Sequence, residues 1–267
     1  ADGIQNAVAV VIERGGRHDE KVNAKDLITL FFGGLFGLVG TQLSFANALI
    51  YSSPVTITII AAMTPVVVML LAALVLKEPI TLKKAAGVVT GCCGALLIIL
   101  QSTGSNMQPG NLTGVMFCII NVISFAVYLV ITRPISQRYS PVTLMKWMFL
   151  FSALLSLPFG YDDLLHTKEF SVASEFNVLL RLSYIVILAT GVAYLLIPMA
   201  LKRIRPTTVS MYNNIQPMIA SIIAIIIGQD TFTWDKPVAA LLVFTGVYLV
   251  TQSKSKEDLD KETVTAK

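Results

Sequence analysis

Residues 27–76 decide the class of this protein. They read LITLFFGGLFGLVGTQLSFANALIYSSPVTITIIAAMTPVVVMLLAALVL and contain no Asp, Glu, Lys or Arg. The whole chain of 267 residues is 55% hydrophobic and only 13% charged, with a mean hydropathy of +0.73. A soluble domain carries about 25% charged residues because water must solvate its surface. The composition therefore excludes a soluble domain, a nucleic-acid-binding protein and a disordered chain, and it predicts an all-α polytopic membrane protein.

The apolar segments on both sides of this stretch are separated by Pro, Gly, Asn and charged residues. A helix that crosses a bilayer needs roughly 20 mostly apolar residues. Dividing the sequence at these breaks gives eight predicted spans, numbered first to eighth in chain order. They cover residues 27–50, 55–76, 83–100, 112–133, 141–160, 180–201, 207–227 and 236–252.

The Lys and Arg residues predict the orientation. If alternate connections are assigned to the two sides of the membrane, seventeen of the twenty basic residues fall on one side. Basic residues accumulate in cytoplasmic loops. We therefore expect both termini to be cytoplasmic in a plasma (bacterial inner) membrane, with residues 254–267 as a charged cytoplasmic tail.

The sequence also repeats itself without gaps at an offset of 152 positions (206 − 54), so that the first three spans correspond to the last three. The matched pairs include Pro54 and Pro206, Pro65 and Pro217, and Glu78 and Asp230. With the predicted orientation, the two copies run through the membrane in opposite directions. Inverted repeats of this kind build many secondary transporters.

Two spans precede the second copy of the triplet, so two are also expected before the first copy, where the chain has too few residues. We therefore expect eight helices of a ten-helix parent, with an N-terminally incomplete first repeat at residues 1–101 and a second repeat at residues 110–253. A naturally shortened form is the alternative.

The repeated residues resemble the EamA domain of the drug/metabolite transporter superfamily. The resemblance rests on Phe45-Ala46-Asn47-Ala48-Leu49, Ser53-Pro54, Thr64-Pro65, Leu76-Lys77-Glu78-Pro79-Ile80-Thr81, Gly87 and Gly94. It implies two inverted five-helix repeats and the export or exchange of amino acids or other small metabolites by alternating access. The implied partners are a small-molecule substrate and the lipid bilayer, and related transporters also use the last helix of each repeat for homodimer contacts.

The fourth span carries a stripe of polar and aromatic residues. Asn121, Phe125 and Tyr128 fall on one narrow face of a helix at 100° per residue. Polar groups inside a membrane are costly unless they are satisfied, so they are candidates for function. The stripe suits the wall of a substrate cavity; an interhelical packing face with a hydrogen-bonded Asn is the alternative.

The seventh span has a polar cluster directly before Pro217. The cluster and its counterparts in the second span differ in polarity: Tyr212, Asn213, Asn214 and Gln216 stand where the first copy has Ile60, Ala61, Ala62 and Thr64. A purely structural requirement of a duplicated fold should occur in both copies. The asymmetry therefore favours substrate binding by Tyr212, Asn213 and Gln216.

Two prolines predict helix interruptions at symmetric positions. Pro65 and Pro217 each remove one intrahelical hydrogen bond and free a carbonyl one turn earlier, at Ala61 and Asn213. Interrupted helices at corresponding positions of two repeats indicate a transporter's binding site near the middle of the membrane.

Two further side chains are site candidates. Gln42 lies in the outer half of the first span, at the position of Tyr194 in the second copy, and is expected to line the cavity. Lys146, in the fifth span, is expected either to extend towards the lipid headgroups or to contact an anionic group such as a substrate carboxylate.

Other polar and small residues favour structural roles. Glu78 and Asp230 are expected at helix N-termini, where a carboxylate meets the positive end of the helix dipole. Gly87 and Gly91 form a GxxxG pattern that is typical of close helix packing.

The leading functional hypothesis is a secondary transporter. No Asp, Glu or His lies within any predicted span, which argues against an intramembrane enzyme and leads us to expect no metal or cofactor. A channel usually needs rings of charge or carbonyl filters, and none is visible in the sequence. A non-transporting membrane scaffold or receptor of the same fold is the alternative.

Overall fold

A computed structural model of the chain describes residues 22–103, 112–166, 183–184, 190–228 and 234–253. The regular elements in these ranges are helices. They are α1 (Ala24–Gly34), a π-helical segment (Leu35–Gly40), α2 (Thr41–Tyr51), α3 (Pro54–Ala62), α4 (Thr64–Val75), α5 (Leu82–Thr103), α6 (Leu112–Ser136), α7 (Pro141–His166), α8 (Ala193–Arg203), α9 (Pro206–Asn213), α10 (Gln216–Ile226) and α11 (Asp235–Thr251).

The all-α class is confirmed. Among the described residues, four helical stretches are long and apolar enough to cross a membrane: Ala24–Tyr51, Thr56–Val75, Leu112–Ser136 and Pro141–Pro158. Much of the sixth predicted span and the tail at 254–267 lie outside the described residues. The count of eight spans from a ten-helix parent stays a prediction.

Prolines set where the helices of each repeat begin. Pro54 is the first residue of α3, and the Ser53 hydroxyl caps this helix by accepting a hydrogen bond from the Thr56 N–H at 3.2 Å. Pro206 is likewise the first residue of α9, although Arg205 before it does not cap the helix with its side chain. Proline fits the first helical position because its missing N–H has no partner there and its φ angle is already helical.

Each repeat then has a broken helix. The helix pair α3 and α4 is interrupted at Met63, and the pair α9 and α10 at Asn214 and Ile215. Met63 and Ile215 differ by the repeat offset of 152 (215 − 63). The two breaks therefore occupy equivalent places, immediately before the two prolines.

The chain divides into two compact units. The first comprises residues 1–39 and 131–203, in which α7 packs against α1 and α8. The second comprises residues 40–130 and 204–267. There α5 packs along α11 and also contacts α3, α4 and α10, while α9 packs against α4 and α11.

Glycines bring α5 and α11 into backbone contact. A Cβ atom on Gly246 would lie 2.6 Å from the Gly87 carbonyl oxygen and 2.6 Å from the Gly91 Cα. Gly94, the counterpart of Gly246, is equally constrained, since its Cβ would lie 2.8 Å from the Ala239 carbonyl oxygen. The small residues let the two helices approach closely, which is the packing role expected for the GxxxG pattern.

A buried ion pair closes the N-terminal end of α5. The Lys84 side chain is 0% exposed, and its Nζ lies 2.6 Å from Oε2 of Glu78. The Lys84 N–H also donates to the Thr81 hydroxyl at 3.2 Å, so Thr81 caps the helix. Glu78 thus lies four residues before the first residue of α5 (82 − 78), and its carboxylate bonds to a lysine side chain in the first turn of that helix. Asp230 lies outside the described residues.

Candidate functional site

The stripe predicted on the fourth span lies on α6. Tyr128 is fully buried, while Asn121 and Phe125 are half-buried. The rings of Phe125 and Tyr128 lie 6.0 Å apart at a tilt of 47°. The contact between the two rings thus holds Phe125 and Tyr128 in place, and Asn121 at the other end of the stripe stays partly accessible.

Asn121 forms an interhelical hydrogen bond. Its Nδ2 donates to the Thr41 carbonyl oxygen on α2 at 2.7 Å. This is the contact that a packing role predicts. A carboxamide has a second N–H and an acceptor oxygen, so the bond to Thr41 leaves Asn121 able to bind a further polar group.

Gln42 follows Thr41 directly but points elsewhere. Its side chain is exposed. Within the described part of the chain, no hydrogen bond joins Gln42 to Asn121, or Asn121 to Asn213 or Gln216. The structure thus brings the backbone beside Gln42 to the α6 stripe, but it does not join these four side chains by hydrogen bonds.

The polar cluster before Pro217 divides into two groups. Tyr212 is 50% exposed, and Asn213 and Gln216 are exposed as well. Asn214, by contrast, is only 2% exposed. Three of the four polar side chains at this break are therefore open to their surroundings, and one is packed inside the unit.

Asn214 and Cys92 connect the two helix breaks. Cys92 Sγ on α5 donates to the Ala62 carbonyl oxygen at 3.2 Å, and Asn214 Nδ2 lies 3.9 Å from the same sulfur. Ala62 and Asn214 are repeat counterparts (214 − 62 = 152). The sequence places Asn214 in the polar cluster but gives no sign that its side chain turns inward to a cysteine.

The carbonyls freed by the two prolines have different surroundings. The Ala61 carbonyl accepts a hydrogen bond from the Thr64 hydroxyl at 2.6 Å. The counterpart of Thr64 in the second copy is Gln216. Among the described residues, no side chain donates a hydrogen bond to the Asn213 carbonyl oxygen. The carbonyl freed at the first break therefore has a side-chain donor, whereas the carbonyl freed at the second break has none among the described residues.

The exposed face of α10 changes character along its length. Gln216 lies on the same face as Ile219, Ile223 and Ile226 by helical spacing, and these isoleucines are all more than half exposed. The isoleucines suit contact with lipid. The break is the point where this apolar face becomes polar.

Lys146 lies in the other unit, on α7. Its side chain is exposed, and its Nζ lies 5.8 Å from the centroid of the Trp147 ring. This distance is within the range of a cation–π contact. The amine therefore has an aromatic neighbour and stays accessible.

Tyr194 was not predicted as a functional residue. Its hydroxyl donates to the Gly37 carbonyl oxygen at 3.0 Å, and its ring contacts Phe149 edge to face at 6.3 Å. The repeat comparison pairs Tyr194 with Gln42 but does not show that its hydroxyl reaches the π-helical segment. That contact needs three-dimensional information.

Comparison with known proteins fixes the family. The model of the EamA-like transporter family matches residues 8–100 and 112–252. The chain belongs to this family. The resemblance found in the sequence is thereby confirmed, and the protein is an integral membrane protein of a transporter family.

Individual relatives of this EamA-like protein are similar over most of its length. An uncharacterized transporter of Archaeoglobus fulgidus is 22% identical over 92% of this chain and 84% of its own. The uncharacterized transporter YyaM of Bacillus subtilis is 23% identical over 84% of this chain and 72% of its own. The uncharacterized inner membrane transporter YicL of Salmonella typhimurium is 19% identical over 87% and 77%, respectively.

A solved crystal structure shares the fold of this EamA-like chain. It aligns with a TM-score of 0.71 at 18% sequence identity, over 93% of this chain and 83% of the other. At this identity the likeness supports the architecture alone.

Proposed function

We propose that the protein is a secondary transporter that exports or exchanges small metabolites, such as amino acids, across a plasma (bacterial inner) membrane. Family membership supports transport as the activity. The observation that carries the proposal is the pair of helix breaks at equivalent positions, of which only the second has several exposed polar side chains. Interrupted helices of this kind form the binding sites of inverted-repeat transporters.

The substrate site that we propose is centred on the second break. Tyr212, Asn213 and Gln216 supply hydrogen bonds there, and the freed Asn213 carbonyl is an additional acceptor. Exposed amides at mid-membrane depth are costly against hydrocarbon, so water or a solute in a cavity has to satisfy them.

The other predicted side chains complete the proposed cavity. Asn121, Phe125 and Tyr128 form one wall and Gln42 is a peripheral polar contact. One N–H of Asn121 is bonded to the Thr41 carbonyl oxygen. In this proposal Asn121 therefore both positions α2 against α6 and contacts the substrate.

The residue types favour a neutral, zwitterionic or anionic solute. The proposed contacts are amides, a phenol and aromatic rings, and no predicted span contains a carboxylate that would attract a simple cation. Lys146, exposed on α7, is the proposed contact for an anionic group such as a substrate carboxylate.

We propose that transport proceeds by alternating access of two inverted repeats, residues 1–101 and 110–253. Both termini are cytoplasmic in this scheme, in accordance with the distribution of Lys and Arg. Homodimer formation through the last helix of each repeat is part of the same proposal. Size-exclusion chromatography with light scattering tests it, and a strictly monomeric mass would count against it.

Counterflow in proteoliposomes tests the function, because it needs no knowledge of energy coupling. Vesicles loaded with each proteinogenic amino acid in turn receive a trace of the same radiolabelled solute outside. We expect at least one amino acid to accumulate above the level of protein-free vesicles. Asn213→Ala should lower the initial rate at subsaturating solute by roughly threefold to tenfold, which corresponds to one lost hydrogen bond.

Thr245→Ala is the matched control for that experiment, because Thr245 is an exposed polar residue on α11 that does not belong to the polar cluster of the second break. It should transport like the wild-type protein. If no amino acid accumulates, amino acids are not the substrates. If other small metabolites also fail in the same assay, the transport proposal is wrong.

A further inference from the structure

The connection between α4 and α5 contains a lysine whose backbone conformation favours glycine. Helix α4 is closed by the C-cap residue Leu76, and the next residue, Lys77, has a φ angle of 54°. Among the described residues it is the one non-glycine residue with positive φ. Glycine usually occupies this position after a helix because a Cβ atom is disfavoured there. Disfavoured conformations concentrate at functional sites, so the Lys77 side chain is a candidate for a role that the turn itself does not require.

The second repeat makes the corresponding turn with glycine. Helix α10 is closed by the C-cap residue Ile227, and the next residue, Gly228, has a φ angle of 76°. Lys77 and Gly228 therefore hold the same place in the cap of the helix that follows each break. The turn needs a residue with positive φ, and it does not need a lysine.

The positive charge of this connection is also confined to the first copy. The repeat offset pairs Lys77 with Gln229 (229 − 77 = 152) and Lys83 with Asp235 (235 − 83 = 152). A feature that the duplicated fold requires should occur in both copies. The two lysines are therefore not part of the shared scaffold.

The buried ion pair leaves these two lysines without a neighbouring free acid. Glu78 is the acidic residue of the connection, and its Oε2 already lies 2.6 Å from Lys84 Nζ. Lys77 and Lys83 directly precede the two paired residues, so the pair holds their backbones at the same end of α5. Both lysines are exposed, and within the described part of the chain neither has an ion-pair partner. The result is an exposed positive patch.

The residues beside the lysines in sequence expose apolar side chains. Val75 is 57% exposed, Ile80 48% and Leu82 86%. Hydrocarbon accommodates such side chains better than water does. Amines next to exposed apolar side chains match a phospholipid, which has an anionic headgroup and acyl chains. A soluble anion would need the amines alone.

We propose that Lys77 and Lys83 bind the headgroup of an anionic phospholipid, and that the exposed apolar side chains beside them contact its acyl chains. In the predicted orientation this connection is cytoplasmic, and anionic lipids of the cytoplasmic leaflet attract Lys and Arg. The inference goes beyond the proposed transport function and does not depend on it, because it concerns lipid bound at the surface of one unit. Each lysine is expected to strengthen binding by roughly fivefold.

Native mass spectrometry of the purified protein measures lipid binding directly. The protein in an uncharged detergent is titrated with phosphatidylglycerol or with phosphatidylcholine, and the apparent dissociation constant of the first bound lipid is determined. We expect the wild type to bind phosphatidylglycerol more tightly than phosphatidylcholine. Lys77→Gly/Lys83→Ala should weaken phosphatidylglycerol binding by roughly 25-fold, fivefold for each lysine, and leave phosphatidylcholine binding unchanged. Wild-type affinity of this variant for phosphatidylglycerol would overturn the proposal.

The single variant Lys77→Gly separates lipid binding from a role in the turn. Glycine adopts positive φ without strain, so this variant should melt at or above the wild-type temperature in uncharged detergent while it binds phosphatidylglycerol about fivefold less tightly. Lys77→Arg keeps the charge and should keep the wild-type affinity. A lower melting temperature of Lys77→Gly together with unchanged lipid affinity would assign Lys77 to the turn and overturn the proposal.

Two controls exclude general effects of charge. Lys202→Ala is the matched control, because Lys202 is an exposed lysine in the last turn of α8, in the first unit. It should bind phosphatidylglycerol like the wild-type protein, and a loss as large as that of the double variant would mean that net charge, and not a site, attracts the lipid. Excess inorganic phosphate should not displace phosphatidylglycerol. Displacement would mean that the patch binds soluble anions, which would contradict a lipid site.

Discussion

The two broken helices of the protein have the same backbone and different side chains. Both begin at a proline and both are interrupted just before a second proline, at positions 152 residues apart. In the first break, Thr64 satisfies the carbonyl freed by Pro65. The second break replaces Ile60, Ala61, Ala62 and Thr64 with Tyr212, Asn213, Asn214 and Gln216, and three of these four side chains are exposed.

The difference shows which features the duplicated fold requires and which it does not. The prolines, the break and the glycine contact between α5 and α11 occur in both copies, so they build the scaffold. The exposed polar set occurs in one copy, so the fold does not need it. We therefore propose that the shared features serve architecture and conformational change, and that the unshared ones serve substrate recognition.

The largest effect is expected at an acidic position that both repeats contain. Glu78→Ala leaves Lys84 buried without its carboxylate, and removing one partner of a buried pair costs about 3–5 kcal/mol. The thermal midpoint of the purified protein should fall sharply. The exposed Lys83→Ala is the control and should melt like the wild type. Recovery of stability in Glu78→Ala/Lys84→Met would show that the unpaired charge is the cause, and a wild-type melting curve for Glu78→Ala would contradict the prediction.

The glycine contact should be almost as sensitive. Gly246→Ala places a Cβ 2.6 Å from backbone atoms of α5, and overpacking of this kind costs about 1–3 kcal/mol. Gly94→Ala, the repeat counterpart, should also destabilise, while Thr245→Ala on the neighbouring exposed position should not. Thermal unfolding of the three variants measures this. Equal stability of all three would mean that the α5–α11 contact is not a close one.

Each proline should matter to a similar extent. Pro65→Ala and Pro217→Ala restore a backbone donor and straighten the helix, so each should slow counterflow by roughly tenfold, equivalent to about 1.4 kcal/mol. Initial rates in proteoliposomes give the comparison. A loss confined to Pro217→Ala would show that the first break has no part in the conformational change.

The adjacent asparagines should separate stability from recognition. Asn214→Ala removes a buried amide that packs against Cys92 and should cost about 0.5–1.5 kcal/mol of unfolding free energy. Asn213→Ala should leave the melting temperature unchanged, since its side chain is exposed. If both variants have the same melting temperature, the assignment of Asn214 as buried and Asn213 as exposed is wrong.

The sequence was sufficient for the features that depend on local backbone chemistry. A proline at the first helical position and a proline within a span each act on their own chain segment, so the start of α3 at Pro54 and the break at Met63 follow from residue type and spacing. The GxxxG pattern likewise led to the glycine contact. These signals need no knowledge of neighbouring helices.

Other features depend on tertiary contacts and could not be predicted. Asn213 and Asn214 are neighbours in sequence, and the break between α9 and α10 removes the helical register that would tell which one turns inward. Tyr194 bonds to Gly37 across 157 positions. The pairing of Lys84 with Glu78 depends on the turn that leads into α5, and no sequence signal predicts it.

The affinity of Asn213→Ala for a transported solute shows whether the exposed side chains of the second break bind the substrate. Binding to the purified protein is measured by isothermal titration calorimetry with a solute that passes the counterflow screen, beside Asn214→Ala and Thr245→Ala. We expect Asn213→Ala to weaken binding by roughly threefold to tenfold at unchanged thermal stability, and Thr245→Ala to bind like the wild-type protein. Wild-type affinity in Asn213→Ala would contradict the assignment of substrate recognition to the unshared side chains of the second break.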